Sequence, residues 1–129
     1  MFDHTDIISS YTRAQAIADG VLIDLTEEAA KHGFKIPFAC TESIWQEIEW
    51  GEHDKPGAGQ CTEGRLYDVL HMAILSASKA KDASQVEVKV WMVPRVGDSM
   101  VGKLYTYKLN VGPGDQGEPV ITLMQVNED

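Results

Sequence analysis

Cysteine is scarce in this sequence: Cys40 and Cys61 are the only two. A disulfide framework of the kind that staples small secreted domains needs more, so both thiols are expected to be reduced and unpaired. Long apolar runs are missing as well. No stretch approaches the ~18 consecutive apolar residues of a membrane span. The opening MFDHTDIISSYTR has no basic start followed by an apolar run. No signal peptide is therefore expected, and the cytoplasm is the expected location. Positive charge is short too, with 11 Lys and Arg against 20 Asp and Glu and a net charge of −9. Phosphate binding usually shows a basic patch. Direct DNA or RNA binding is accordingly disfavoured, and so is docking to anionic lipid. Internal repeats and low-complexity tracts are absent.

What remains is an ordinary globular composition, 43% hydrophobic and 24% charged over 129 residues. A chain of this length buries roughly two-thirds of its unfolded surface and needs neither metal nor disulfide to fold. One acidic α+β domain spanning residues 1–129 is expected. The charge is unevenly spread. Residues 1–64 hold 12 acids and 4 bases, whereas residues 65–129 hold 8 acids and 7 bases. Nearly all of the imbalance lies in the first half.

Local patterns assign the elements. Thr12 and Gln15 have capping-box spacing, and Gly20 supplies a stop, which predicts a short first helix. Val21–Leu25 reads as a strand. Thr26 reads as the cap of a helix over Glu27–His32, with Glu27 and Glu28 in its first turn and Gly33 at its end. Ile36–Ala39 is extended, since Pro37 biases its predecessor away from helix. Thr41 opens a helix to about Trp50, with Ile44, Trp45 and Ile48 on one face. Gly51–Glu63 reads as a loop. The strongest helix runs from Arg65 to Lys81, on a stripe of Leu66, Val69, Leu70, Ala73 and Ala77. Alternation at Val86, Val88 and Val90, then at Tyr105, Tyr107, Leu109 and Val111, gives two strands. Val120–Val126, apolar almost throughout, gives a third that is covered on both faces. Short links predict a three-stranded antiparallel meander packed by the long helix, preceded by short helices and one or two short strands.

Several patterns touch on chemistry. Gly112–Gly117 matches G-x-G-x-x-G, but a strand pattern follows it instead of the helix that would hold a pyrophosphate, and Asp115 and Glu118 would repel phosphate. A glycine-rich turn is expected there, with Pro113-Gly114 suited to type II. Glu87-Val-Lys89 resembles the end of a metal-dependent nuclease motif. Its only comfortable aspartate by spacing is Asp68, so cross-strand charge pairing is the plainer reading. Cys40, His53, Cys61 and His71 are 13, 8 and 10 residues apart and lack the close ligand pairs of structural zinc sites. Neither metal nor cofactor is expected.

Asp68 and His71 fall three apart on the long helix and can touch. With Arg65 and Asp115 they form one candidate polar site, for a small enzyme or small-molecule binder. Met72 and Leu75 lie away from the core stripe. They either pack under another element or leave an apolar face for self-association, a homo-oligomeric reading. The second candidate site is acidic: Glu42, Glu47, Glu49, Glu52 and Asp54 surround Trp50, which either folds under the glycine-rich loop or serves as the anchor in a partner's pocket.

Three segments, YTRAQAIADGVLIDLTEEAAKHGF, GRLYDVLHMAI and GPGDQGEPVITLM, together resemble a family of small uncharacterised bacterial proteins carried on plasmids, integrative elements and phages. The resemblance spans nearly the whole chain, and GEPVITLM is its most specific part. It implies genomic company and assigns no catalytic residue. The leading expectation is a non-enzymatic accessory protein of a mobile element, acting by protein–protein contact. Its sharpest form is an anti-CRISPR or antirestriction inhibitor whose acidic face occupies a Lys/Arg groove of a nucleic-acid-handling host complex.

Overall fold

A computed structural model describes residues 11–80 and 82–128. Helix α1 spans Arg13–Ala18 and is opened by the capping box read from the sequence. The Thr12 hydroxyl accepts from the Gln15 amide at 3.0 Å, and the Gln15 side chain accepts from the Thr12 amide at 2.8 Å. Gly20, at φ +77°, lets the chain turn out of the helix. Strand β1 is Leu22–Asp24, and helix α2 is Thr26–Ala30. Thr26 is the first residue of α2 and not its cap. Its hydroxyl donates to Asp24 at 2.6 Å and accepts from the Phe38 amide at 3.1 Å, tying α2 to the next strand. Strand β2 is Phe38–Thr41, helix α3 is Glu42–Ile48 and helix α4 is Thr62–Lys79. Helix α4 starts three residues before Arg65, because the Cys61 thiol caps it by accepting from the Gly64 amide at 3.3 Å. Strands β3 (Gln85–Met92), β4 (Lys103–Pro113) and β5 (Pro119–Gln125) complete the chain.

The expected meander is present: β3 pairs antiparallel with β4, and β4 with β5. The sheet, however, is five-stranded and mixed, in the order β1-β2-β5-β4-β3. β2 lies parallel to β5, matching Phe38 with Ile121 and Cys40 with Leu123, and β1 is antiparallel to β2. With partners on both sides, β5 is interior to the sheet. That accounts for its apolar character, with Val120, Ile121, Leu123 and Met124 all buried.

Strand register sorts the residues by face. Phe38, Cys40, Ile121, Leu123, Leu109, Tyr107, Val88 and Val90 share one face and join Ile44 and Ile48 of α3 and Val69, Leu70 and Ala73 of α4 in the core. Full burial of each such aliphatic side chain stabilises the fold by about 1.5–3 kcal/mol. Met72 packs against this core, while Leu75 is exposed. The opposite face is covered only in part. Helix α1 crosses it through Arg13, whose guanidinium donates to the Thr122 hydroxyl at 2.7 Å and the Ile121 carbonyl at 2.6 Å. Among the described residues nothing covers the half formed by β3 and β4, and Trp91 is 66% exposed there.

The glycine-rich match is resolved as the β4–β5 turn. Gly117 donates to the Gly114 carbonyl at 3.0 Å and has φ +80°, so Asp115 and Gln116 occupy the centre of the turn, and not Pro113 and Gly114. Gly114 is needed for closeness: a Cβ there would lie 2.9 Å from Val120 Cγ1. The turn delivers Asp115 to the start of α1, where its carboxylate accepts from the Arg13 amide at 2.7 Å and the Ala14 amide at 3.1 Å. An anion is held at a helix start, as the motif suggests, but it is the protein's own carboxylate.

Candidate functional surface

Helix α3 has seven residues, too short to hold itself in water, and it is fixed by its neighbours. Its C-terminal carbonyls lack intrahelical donors. Two arginines from distant segments supply them. Arg65 donates from Nε to the Ile48 carbonyl at 2.9 Å and from Nη2 to the Glu47 carbonyl at 2.6 Å. Arg95 donates from Nη1 to the Gln46 carbonyl at 2.7 Å. Arg65 is 2% exposed. Its Nη1 also reaches Gln60 Oε1 at 2.9 Å and the Val93 carbonyl at 2.8 Å, so one guanidinium joins α3, the loop before α4 and the chain leaving β3. Burial pushes its pKa down. A guanidinium keeps its charge through such a shift, and placing cations at a helix C-terminus is favourable.

The acidic residues after Thr41 divide into three kinds. Glu42, Glu49 and Glu52 face solvent. Glu47 turns inward, and its Oε1 accepts from the Tyr107 hydroxyl at 2.8 Å and from Gln125 Nε2 at 2.9 Å. Burial and then the Glu47 hydrogen bond raise the Tyr107 pKa far above its ordinary value, so Tyr107 stays a donor. Asp54 is paired. Its Oδ2 takes the Gly51 amide at 2.8 Å and Arg95 Nη2 and Nε at 2.9 and 3.0 Å. The Gly51 amide first, and then Arg95, hold its carboxyl below the usual range. Arg95 Nη1 lies 3.9 Å from Glu49.

Trp50 is half-buried, with the Arg65 guanidinium 4.8 Å over its ring and its amide donating to Thr62 Oγ1 at 2.9 Å. It braces the α3–α4 connection. The exposed acidic surface is thus Glu42 and Glu49 on or just past α3 and Glu52 in the loop. A cleft of ≈ 410 Å³ is bordered by Ser43, Glu47, Arg95, Lys103, Tyr105 and Gln125.

The alternative polar site is not brought together. Arg65 and Asp68 border a cleft of ≈ 270 Å³ that neither His71 nor Asp115 lines. Among the described residues no hydrogen bond joins Asp68 to His71 or to Arg65. The His71 ring stacks on Tyr67 at 5.8 Å and lies 6.3 Å from His32, whose pKa is lowered by burial and then by His71. Asp115 is committed to α1. Glu87 and Lys89 pair at 3.5 Å on the sheet face opposite α4, so Asp68 cannot converge with them. Cys40 is buried in β2, and burial raises its pKa to about 12. Among the described residues no three His, Cys, Asp or Glu side chains come close enough to hold a metal ion, and no helix is long and apolar enough to cross a membrane.

Sequence reasoning missed the part played by Arg65. The signal was available: positions 65, 69, 73 and 77 repeat at four-residue intervals, so Arg65 lies on the core stripe itself. Glu47 likewise falls three residues after buried Ile44, at the flank of the buried face.

The chain belongs to the family of unknown function DUF6573, whose model matches residues 1–129. No curated protein and no solved structure matches the chain.

Proposed function

We propose that this protein is a non-enzymatic accessory factor of a mobile genetic element that acts by binding a basic protein surface through α3 and the loop after it. In its sharpest form it is an anti-CRISPR or antirestriction inhibitor, occupying a groove that a host complex uses for nucleic acid. The observation that carries this reading is how the acidic segment is mounted. Glu42, Glu49 and Glu52 face solvent, while the helix beneath them is held by Arg65 and Arg95 through backbone carbonyls. A helix whose backbone is already held loses less conformational freedom on docking, and charge complementarity accelerates encounter with a Lys/Arg groove. Glu47, Asp54 and Trp50 belong to the mounting, so the contact surface is narrower than the full acidic cluster.

The test is a charge reversal at exposed positions only, Glu42→Lys, Glu49→Lys and Glu52→Lys together. In a bacterial host carrying an active restriction or CRISPR system, expression of the wild type should restore plaquing of a targeted phage. The triple variant should fold and fail to restore it. Equal protection by the variant, or no protection by the wild type against either class of system, refutes the proposal.

A second reading is favoured by the ≈ 410 Å³ cleft, where Glu47, Tyr105, Gln125, Arg95 and Lys103 converge. Such a cleft is within the size range of small-molecule sites. A thermal-shift screen with small metabolites separates the two, since a ligand of the cleft raises Tm in the triple variant as in the wild type.

A further inference from the structure

Strand β3 is an edge of the sheet, and among the described residues no strand pairs with its outer side. The register sets which of its backbone groups point outward. The Val111 amide donates to the Ser84 carbonyl at 2.8 Å, and the β3–β4 pairing continues from there as Gln85 opposite Asn110 and Val86 opposite Leu109. In an antiparallel ladder hydrogen-bonded pairs alternate with non-bonded ones. The even-numbered residues therefore bond to β4. The amides and carbonyls of Gln85, Glu87, Lys89 and Trp91 point away from the sheet.

We infer that β3 pairs with β3 of a second copy of this chain, antiparallel about a twofold axis at Val88, making one continuous sheet across a homodimer. The side chains favour this register. On the open face it sets Glu87 of each copy opposite Lys89 of the other, and Trp91 opposite Gln85. On the core face Val88 and Val90 stay buried under α4 of their own copy, so the open face selects the register. Shifting by two residues either way places Glu87 opposite Glu87 or Lys89 opposite Lys89, and like charges directly opposite are destabilising. Only the register centred on Val88 uses all four outward residues, with about eight new backbone hydrogen bonds. Within one chain Glu87 and Lys89 already lie 3.5 Å apart on the same face, exposed, so both are available to a strand laid alongside. The pairing also removes an exposed strand edge next to Trp91, which folded proteins otherwise have to shield.

Sedimentation equilibrium on the full chain tests this with a charge swap. The wild type should dimerise. Glu87→Lys alone and Lys89→Glu alone each turn both attractive pairs into repulsive ones and should weaken the dimer by about tenfold or more. The double variant Glu87→Lys/Lys89→Glu rebuilds the pairs in reverse and should return the affinity to near the wild-type value. Both substituted positions are solvent-facing, and circular dichroism confirms the fold of each variant. A wild type that stays monomeric up to about 1 mM overturns the inference. So do single variants that dimerise as the wild type does, and so does a double variant that remains as weak as the single ones.

Discussion

Arg65 is predicted to be the most costly polar side chain in the molecule to replace. Its guanidinium is buried and donates to four acceptors at 2.6–2.9 Å: the carbonyls of Glu47, Ile48 and Val93 and the side chain of Gln60. Lysine in its place keeps the positive charge but gathers its donors on one nitrogen, which cannot reach acceptors arranged around a planar fork. Two of the four bonds should be lost. A hydrogen bond to a charged group is worth about 1.5 kcal/mol or more net, so Arg65→Lys should cost about 3 kcal/mol. Arg65→Ala leaves all four acceptors without their donor and the Trp50 ring uncovered, and should cost about 4–5 kcal/mol. In urea, with a slope of about 2 kcal/mol per molar, the midpoints should fall by about 1.5 M and about 2 M or more. Equilibrium unfolding followed by circular dichroism reads both. A lysine variant within about 0.5 kcal/mol of the wild type would refute the assignment of these bonds as what fixes α3.

The thiols should separate cleanly. In the native protein Ellman's reagent at about pH 8 should titrate Cys61 alone, and Cys40 should react only after unfolding, because burial raises its pKa to about 12. Glu128 gives a pH test. Burial opposes its charge, but the Gln125 amide and the Thr41 and Ser43 hydroxyls outweigh burial and hold its carboxyl below the ordinary 4.5. A carboxyl held low in the folded state contributes stability above its unfolded pKa and loses it as pH falls through the folded one. The gap in urea midpoint between wild type and Glu128→Gln should therefore narrow between neutral pH and about pH 3. Asp115→Ala removes the acceptor for two amides at the start of α1 and should cost about 1 kcal/mol, while Asp115→Asn should recover most of it, both read as shifts in Tm.

The elements that could be read in the sequence are those whose determinants are local. The Thr12–Gln15 box, the stripe along α4 and the alternating strands β3 and β4 each carry their signal within one window. The pairing of β2 with β5 does not. It joins Phe38 to Ile121, and the extended character of a four-residue strand next to Pro37 says nothing about which distant strand it meets. Helix ends were misplaced where a side chain did something uncommon, as when the Cys61 thiol capped α4 and Thr26 bonded across to Phe38. The acidic cluster was visible as composition. Its division into exposed, inward and paired carboxylates was not, because it depends on Tyr107, Gln125 and Arg95, all remote in sequence.

The anchoring of α3 has a consequence for how this protein can change over generations. Arg65 and Arg95 grip main-chain oxygens, which every residue type possesses. Substituting Glu42 or Gln46 alters what the helix displays without altering what holds it. A lineage under pressure from a shifting opponent could therefore rewrite the outward residues of α3 freely, while the arginines beneath them stay under constraint. Variation concentrated at those outward positions, over an unchanging Arg65, is the pattern such a contest would leave among relatives.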